Sequence, residues 1–278
     1  MDDFDLEERS LSYEGHLNFA IVTAYSDDVG TSGAVYVLTD KKSESKAIIT
    51  GLEKPVNVCF DEENELLYVV DAKSDDQGFI YQYEIDWDAG DEYDDCVEYS
   101  ERQVCERYET KHKGDKFELE SSSYAIVYEG PAATDCACDG FGNLYFATVD
   151  NHIYGISVVD LYARELNANQ ELLDETAVGG CTGIDIRKNG ELWWSNSERQ
   201  ETLGTLASMS WDGSDLLDQK RVEVKYSGVP AEGLALDENY AYFITDNALI
   251  EYKIKTGSVT RTLLKSGSEP TSVGYGGG

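Results

Sequence analysis

The chain has 278 residues, with 55 Asp and Glu against 22 Lys and Arg, a formal net charge of −33. That balance excludes a nucleic-acid-binding face, which needs clustered cations. A hydrophobic fraction of 41% with 11% aromatics still supplies a sizeable core, so the acidity belongs to a folded protein rather than to a disordered tail.

Met1 to Glu8 lacks the basic and apolar regions of a signal peptide, which leaves an intracellular protein or one whose leader has been removed. No run approaches the roughly 18 apolar residues of a membrane helix, so no membrane insertion is expected. Residues 17–25, 33–39 and 47–50 read as the second, third and fourth strands of a unit without a first. Four later segments then share one pattern: residues 55–71, 133–148, 181–196 and 231–246. Each is a short strand, a turn of Asp, Asn and Gly, and an aromatic-rich strand ending near Asp or Asn. A third strand follows at 78–85, 152–159 and 248–254, and a fourth at 125–130, 222–228 and 260–267. Four strands per repeat define a propeller blade.

The spacing agrees, since Asn196 to Asp246 is 50 residues and Asp150 to Asn196 is 46. Asp71 to Asp150 is 79 residues because it holds an acidic insertion at 86–120, with 13 Asp and Glu against five Lys and Arg. Only 160–176 reads as able to carry a helical turn. Residues 270–276 supply the missing first strand, so joining the chain ends would close the ring and remove its sheet edges. The expectation is an all-β, single-domain propeller over 1–278 with five blades, or six if the insertion hides a degenerate one. A β-sandwich fits the repetition of a whole four-strand unit less well.

Of the six cysteines, Cys96 and Cys105 lie in the polar insertion, where a local disulfide is expected. Cys59, Cys136, Cys138 and Cys181 fall in strand segments and read as small buried hydrophobes. No second pair at zinc spacing follows Cys136-x-Cys138. His16 and His112 read as solvent-facing, and His152 as a turn contact beside Asp150. Neither a Gly-x-Ser-x-Gly elbow nor a phosphate-binding glycine loop occurs. Residues 86–95 fail as an EF-hand, because Gly90 is fifth rather than sixth and position twelve is Val97. The default for the insertion is a solvated acidic loop, with Tyr93, Tyr99 and Tyr108 as contact residues or as packing onto the blade beneath.

Leu192-Trp-Trp-Ser-Asn196, followed by Ala207-Ser-Met-Ser-Trp-Asp-Gly-Ser214, resembles a YWTD blade with its downstream Asp-Gly turn. Asp135-Cys-Ala-Cys-Asp-Gly-Phe-Gly-Asn-Leu-Tyr-Phe146 is similar to the gluconolactonase segment whose leading Asp is a metal ligand. On these motifs most of the chain resembles the propeller superfamily of NHL repeats, YWTD repeats and senescence-marker-protein/gluconolactonase enzymes. The resemblance implies a divalent metal at the channel mouth, with lactone hydrolysis as the chemistry.

Aligning the repeats puts Asn57, Asp135, Thr182, Glu232 and Ser272 at that mouth, and Asn57, Asp135 and Glu232 are the oxygen-donor types that Ca²⁺ takes. The chain departs from the family pattern at Thr182, where Asn is usual, and Glu14 is the only candidate for an early Glu ligand. The same residues could instead bond backbone groups at strand starts and bridge neighbouring blades. Without a complete catalytic set, the reading is a non-enzymatic binding or assembly module, with protein partners or self-assembly through acidic loops. The alternative is a Ca²⁺-dependent lactone or ester hydrolase. An extracellular or cell-surface location is favoured over the cytoplasm.

Overall fold

The structure, a computed structural model, describes residues 11–12, 19–25, 32–39, 45–61, 64–88, 94–99, 102–107, 116–120, 122–139, 142–150, 152–157, 170–174, 181–187, 189–197, 206–210, 221–227, 230–245 and 248–264. Every regular element among them is a strand, and no helix among them is long and apolar enough to cross a membrane.

The first sheet orders β1 (Leu11–Ser12), β2 (Phe19–Ala24), β3 (Gly33–Thr39) and β4 (Ser45–Leu52) as an antiparallel meander. The second uses β5 (Pro55–Asp61), β6 (Leu66–Ser74) and β7 (Gln77–Asp88). Within the insertion, β8 (Asp94–Tyr99) and β9 (Arg102–Arg107) form a separate hairpin and β10 (Lys116–Leu119) pairs with β7, and after it β11 (Ala125–Gly130) pairs with β7 as the expected fourth strand. The third sheet is β12 (Ala133–Cys138), β13 (Asn143–Thr148), β14 (Ile153–Ser157) and β15 (Gln170–Asp174). The fourth is β16 (Cys181–Ile186), β17 (Leu192–Asn196), β18 (Leu206–Ser210) and β19 (Arg221–Tyr226). The fifth is β20 (Glu232–Leu236), β21 (Tyr240–Thr245), β22 (Ala248–Lys253) and β23 (Ser258–Leu263).

The five repeated units are thus five sheets, and three expectations change. The first sheet draws a first strand from its own amino-terminal side, Leu11–Ser12, because those two residues register against Ile21 and Val22. Residues 270–276, expected to take that place, lie outside the described residues. Within 160–176, Gln170–Asp174 form β15, held by pairing with β14 instead of coiling as a helical turn, and the rest of that stretch lies outside the described residues. The insertion is not simply a solvated loop: β7 runs 12 residues, pairing β11 along Gly78–Gln82 and β10 along Ile85–Asp88, and the hairpin stands beyond it. Cys96 lies directly opposite Cys105 in that hairpin's backbone register, and their side chains lie outside the described residues.

The core occupies the spaces between consecutive sheets. Strands β6, β13 and β17 are sandwiched on both faces, which is why they read as continuous apolar runs instead of alternating. On β6, Leu67 and Val69 pack toward the first sheet with Val35, Val37 and Ile49, while Leu66, Tyr68 and Val70 pack toward the third with Leu144 and Phe146. The adjacent indoles of β17 divide the same way, Trp194 entering the layer with Tyr145 and Ile184 and Trp193 the layer with Phe243 and Ile250. A Cβ on Gly183 would collide with the backbone of Gly233 and Leu234, so glycine is what lets β16 approach β20.

Polar side chains tie the strands at their ends. Asp61 and Asp139 each accept the amide N–H and the side-chain NH₂ of an Asn, Asn64 and Asn143, closing the first turn of their sheets. Buried Asp71 accepts Lys54 N–H at 2.6 Å and Glu53 N–H at 3.1 Å, which fixes the entry into β5.

The fourth sheet holds a partly buried ion cluster. Glu191 accepts from Arg187 Nη1 at 3.0 Å, Lys225 Nζ at 3.1 Å and Ser208 Oγ at 2.9 Å, and Lys225 Nζ lies 5.1 Å from the centroid of the Trp193 ring. Burial pushes the Glu191 carboxyl up, but the Arg187, Lys225 and Ser208 donors hold it below its ordinary range. A carboxyl lowered in the folded state stabilises the fold above its unfolded pKa of about 4.5, and that contribution is lost as pH falls through the folded value. We expect Glu191→Gln to cost about 2 kcal/mol in urea titrations at pH 7, with the deficit shrinking as the pH is lowered below 4. A deficit constant with pH would show that the charge is not what stabilises the cluster.

Candidate functional site

The first strands of consecutive sheets stand side by side, with β5 against β12, β12 against β16 and β16 against β20. Of the residues singled out from the sequence, Asn57, Asp135, Thr182 and Glu232 lie on these strands. Asn57 and Asp135 meet: Asn57 Nδ2 donates to Asp135 Oδ1, and Asn57 Oδ1 faces the Cys136 thiol at 3.7 Å. Asp135 Oδ1 also accepts the Cys136 amide at 2.9 Å, and Oδ2 accepts the Ile184 amide of β16 at 2.8 Å. One carboxyl therefore links three sheets, with a side-chain donor on β5, its own amide on β12 and a backbone donor on β16.

Burial pushes the Asp135 carboxyl well above its usual range, outweighing the two amide donors that favour the anion, and Asp185 adds a smaller push in the same direction. Burial and the Asp135 charge also raise the thiols of Cys136 and Cys181, which makes both poor nucleophiles. The Cys181 thiol lies 3.4 Å from the Gly183 carbonyl, and Ser195 Oγ reaches the same oxygen at 3.5 Å.

Thr182 and Glu232 do not join this pair. A bulge near the start of β5, β12 and β16 shifts the register between Pro55 and Asn57, Ala133 and Asp135, and Cys181 and Gly183, and in β20 the shift falls between Glu232 and Ala235. Two residues after Pro55, Ala133, Cys181 and Ala231 come Asn57, Asp135, Gly183 and Gly233, so Thr182 and Glu232 stand one place earlier. Thr182 Oγ1 donates to the Ala231 carbonyl at 3.1 Å, as Thr134 Oγ1 does to the Cys181 carbonyl at 2.8 Å. Glu232 occupies the equivalent place and is exposed. Ser272 and Glu14 lie outside the described residues. Among the described residues no three His, Cys, Asp or Glu side chains are grouped to hold a metal ion.

Two features were missed in the sequence. Asp185 repeats the role of Asp135 one sheet further on, with Oδ1 accepting the Ile186 amide and Oδ2 the Leu236 amide of β20, each at 2.7 Å. The signal was an Asp in an otherwise apolar first strand. Cys59 and Cys138 form a disulfide between β5 and β12, with Cα atoms 6.1 Å apart, instead of serving as small buried hydrophobes. Neighbouring first strands put the two sulfurs at the same height, while Cys136 and Cys181 stay as buried thiols. His152 Nδ1 approaches Asp150 Oδ2 at 3.1 Å, the turn contact expected of it.

Consecutive four-stranded antiparallel sheets meeting through their first strands define a β-propeller. A luciferin-regenerating enzyme superposes with a TM-score of 0.58 at 10% identity, covering 97% of this chain and 80% of that one. A chain of a mitotic checkpoint complex superposes with a TM-score of 0.51 at 14% identity, covering 98% of this chain and 67% of that one. At these identities the likeness establishes the fold alone. No family model and no curated protein sequence matches the chain.

Proposed function

We propose that this propeller is a non-enzymatic binding or assembly module. The observation that carries the reading is the occupation of Asp135. Its two oxygens are committed to Asn57, Cys136 and Ile184, and the Asn57 amide is itself held between Asp135 and the Cys136 thiol. Donors turned inward to join three sheets do not fit the open oxygen cage that Ca²⁺ takes. The competing hydrolase of gluconolactonase type needs Asn57, Asp135 and Glu232 to converge as ligands, and Glu232 stands one place out of register with the other two. An NHL or YWTD kinship is compatible with this module, as is the protein complex to which one structural neighbour belongs.

The Cys59–Cys138 disulfide supports a location outside the reducing cytosol, at the cell surface or beyond it. A Cys96–Cys105 bond, across directly opposed positions of the hairpin, would fit the same compartment.

Thermal melts in EDTA and in excess Ca²⁺, with a lactone panel alongside, test the reading. A metal site at hundredfold excess over its Kd would add about 2.7 kcal/mol of stability. We expect the difference between the two melts to be the same for the native protein and Asp135→Asn, with no lactone turnover above background. One equivalent of Ca²⁺ lost on that substitution, or turnover that disappears with it, would establish the hydrolase instead.

A further inference from the structure

Among the described residues, two of the unpaired strand edges differ in charge. Strand β23 closes the fifth sheet, pairing only with β22 among the described residues, and all six of its residues are exposed, including Val259 and Leu263. The outermost strand β11 of the second sheet, by contrast, is partly covered. In a chain of net charge −33, the segment from Ala248 to Leu264 is locally basic, with Lys253, Lys255 and Arg261 against Glu251. An exposed edge rich in Val, Thr and Leu is a template for strand addition.

The second edge is β8. Its sequence, Asp94-Asp-Cys-Val-Glu-Tyr99, holds three carboxylates and no cation. It pairs with β9 alone in a two-stranded sheet that joins no blade, so its other edge is unpaired among the described residues. An isolated two-stranded hairpin is marginal in water and gains from a third strand. Both β8 and β23 are six residues long.

We propose that the β23 edge of one copy receives the β8 edge of a second copy, adding the acidic hairpin to the fifth sheet. The two edges belong to different parts of the chain, so the contact is heterologous and leaves a free edge at each end of the pair. Repetition then extends the assembly beyond a dimer. The net charge of −33 opposes approach at long range. At 0.15 M salt the screening length is about 8 Å, which leaves the outcome to local complementarity at the contact.

The inference rests on the binding-module reading, and the two fail separately: lactone turnover with assembly intact would sink only that reading, and a monomeric chain only this one. Sedimentation velocity of the full chain from about 1 to 100 µM, the range suited to a small contact, is the test. We expect species larger than a dimer to grow with concentration. Lys255→Glu with Arg261→Glu, and separately Asp94→Lys with Asp95→Lys, should each weaken assembly at least tenfold, read at a temperature where melts show each variant folded. An equimolar mixture of the two variants should assemble again, because each reversed edge meets its complement. Net charge acting alone predicts the opposite for the Asp94/Asp95 variant, which is less acidic and would associate more. A native chain that stays monomeric, an Asp94/Asp95 variant that assembles as well as the native chain, or a mixture that does not recover overturns the proposal.

Discussion

Asp135→Ala is expected to destabilise the protein by about 3 kcal/mol, lowering the melting temperature by roughly 6–12 °C. The substitution removes the shared acceptor of three donors at a buried place. The Cys136 amide and the Ile184 amide of the next sheet cannot move to find another partner, and Asn57 loses the group that orients it. Each stranded buried donor costs about 1–3 kcal/mol, and the sum is moderated because the three share one carboxyl. Asp135→Asn should recover only part of the loss, since its NH₂ would face the Ile184 N–H, donor against donor.

The same substitution carries a pH signature. Burial raises the folded carboxyl above the unfolded value of about 3.8. Its contribution is therefore fully present below that value and is lost as pH rises through the folded pKa. The gap between native protein and alanine variant should accordingly be wider at pH 5 than at pH 8 in urea titrations. A gap that widens with pH would mean that the amide donors outweigh burial, and a melting temperature within about 2 °C of native would show that the residue joins nothing of consequence.

The repeat was legible because a blade's second strand is buried on both faces, so that Leu66 to Val70 and Leu192 to Trp194 stand out as apolar blocks against polar turns. Alternation arguments fail at such strands, yet repetition at blade length recovers them. β15 was hidden because Gln170–Asp174 has the Gln, Glu and Leu content of a helix, and only pairing with β14 makes it a strand. β8 and β9 were hidden by charge.

Asn57 and Asp135 were found at places the structure brings together, bonded to each other and, through Asp135, to β16. An Asp at a strand start looks the same in sequence whether it faces a cation or the amide of the next sheet. Thr182 and Glu232 entered by counting residues across a bulge, where one extra residue moves every earlier side chain by a place. The disulfide was within reach: once Cys59 and Cys138 sit on the first strands of consecutive blades, they are neighbours in space despite a sequence separation of 79.

That separation makes the disulfide the second large effect. Replacing Cys59 and Cys138 together by alanine is expected to cost about 2–5 kcal/mol. The bond closes a loop of 79 residues, which in the chain-entropy account corresponds to about 4.5 kcal/mol withheld from the unfolded ensemble. The enclosed segment is the rest of the second sheet and the whole acidic insertion. Without the bond, bringing β5 and β12 together means closing a loop lengthened by the insertion, whose 13 acidic residues repel one another.

The native and double-alanine proteins should therefore differ in unfolding midpoint with dithiothreitol absent and converge when it is present. Shortening the insertion in the double-alanine background should return part of the stability, as a shorter loop is cheaper to close. An unchanged midpoint without reductant would show that β5 and β12 are held by packing and the Asp135 link alone.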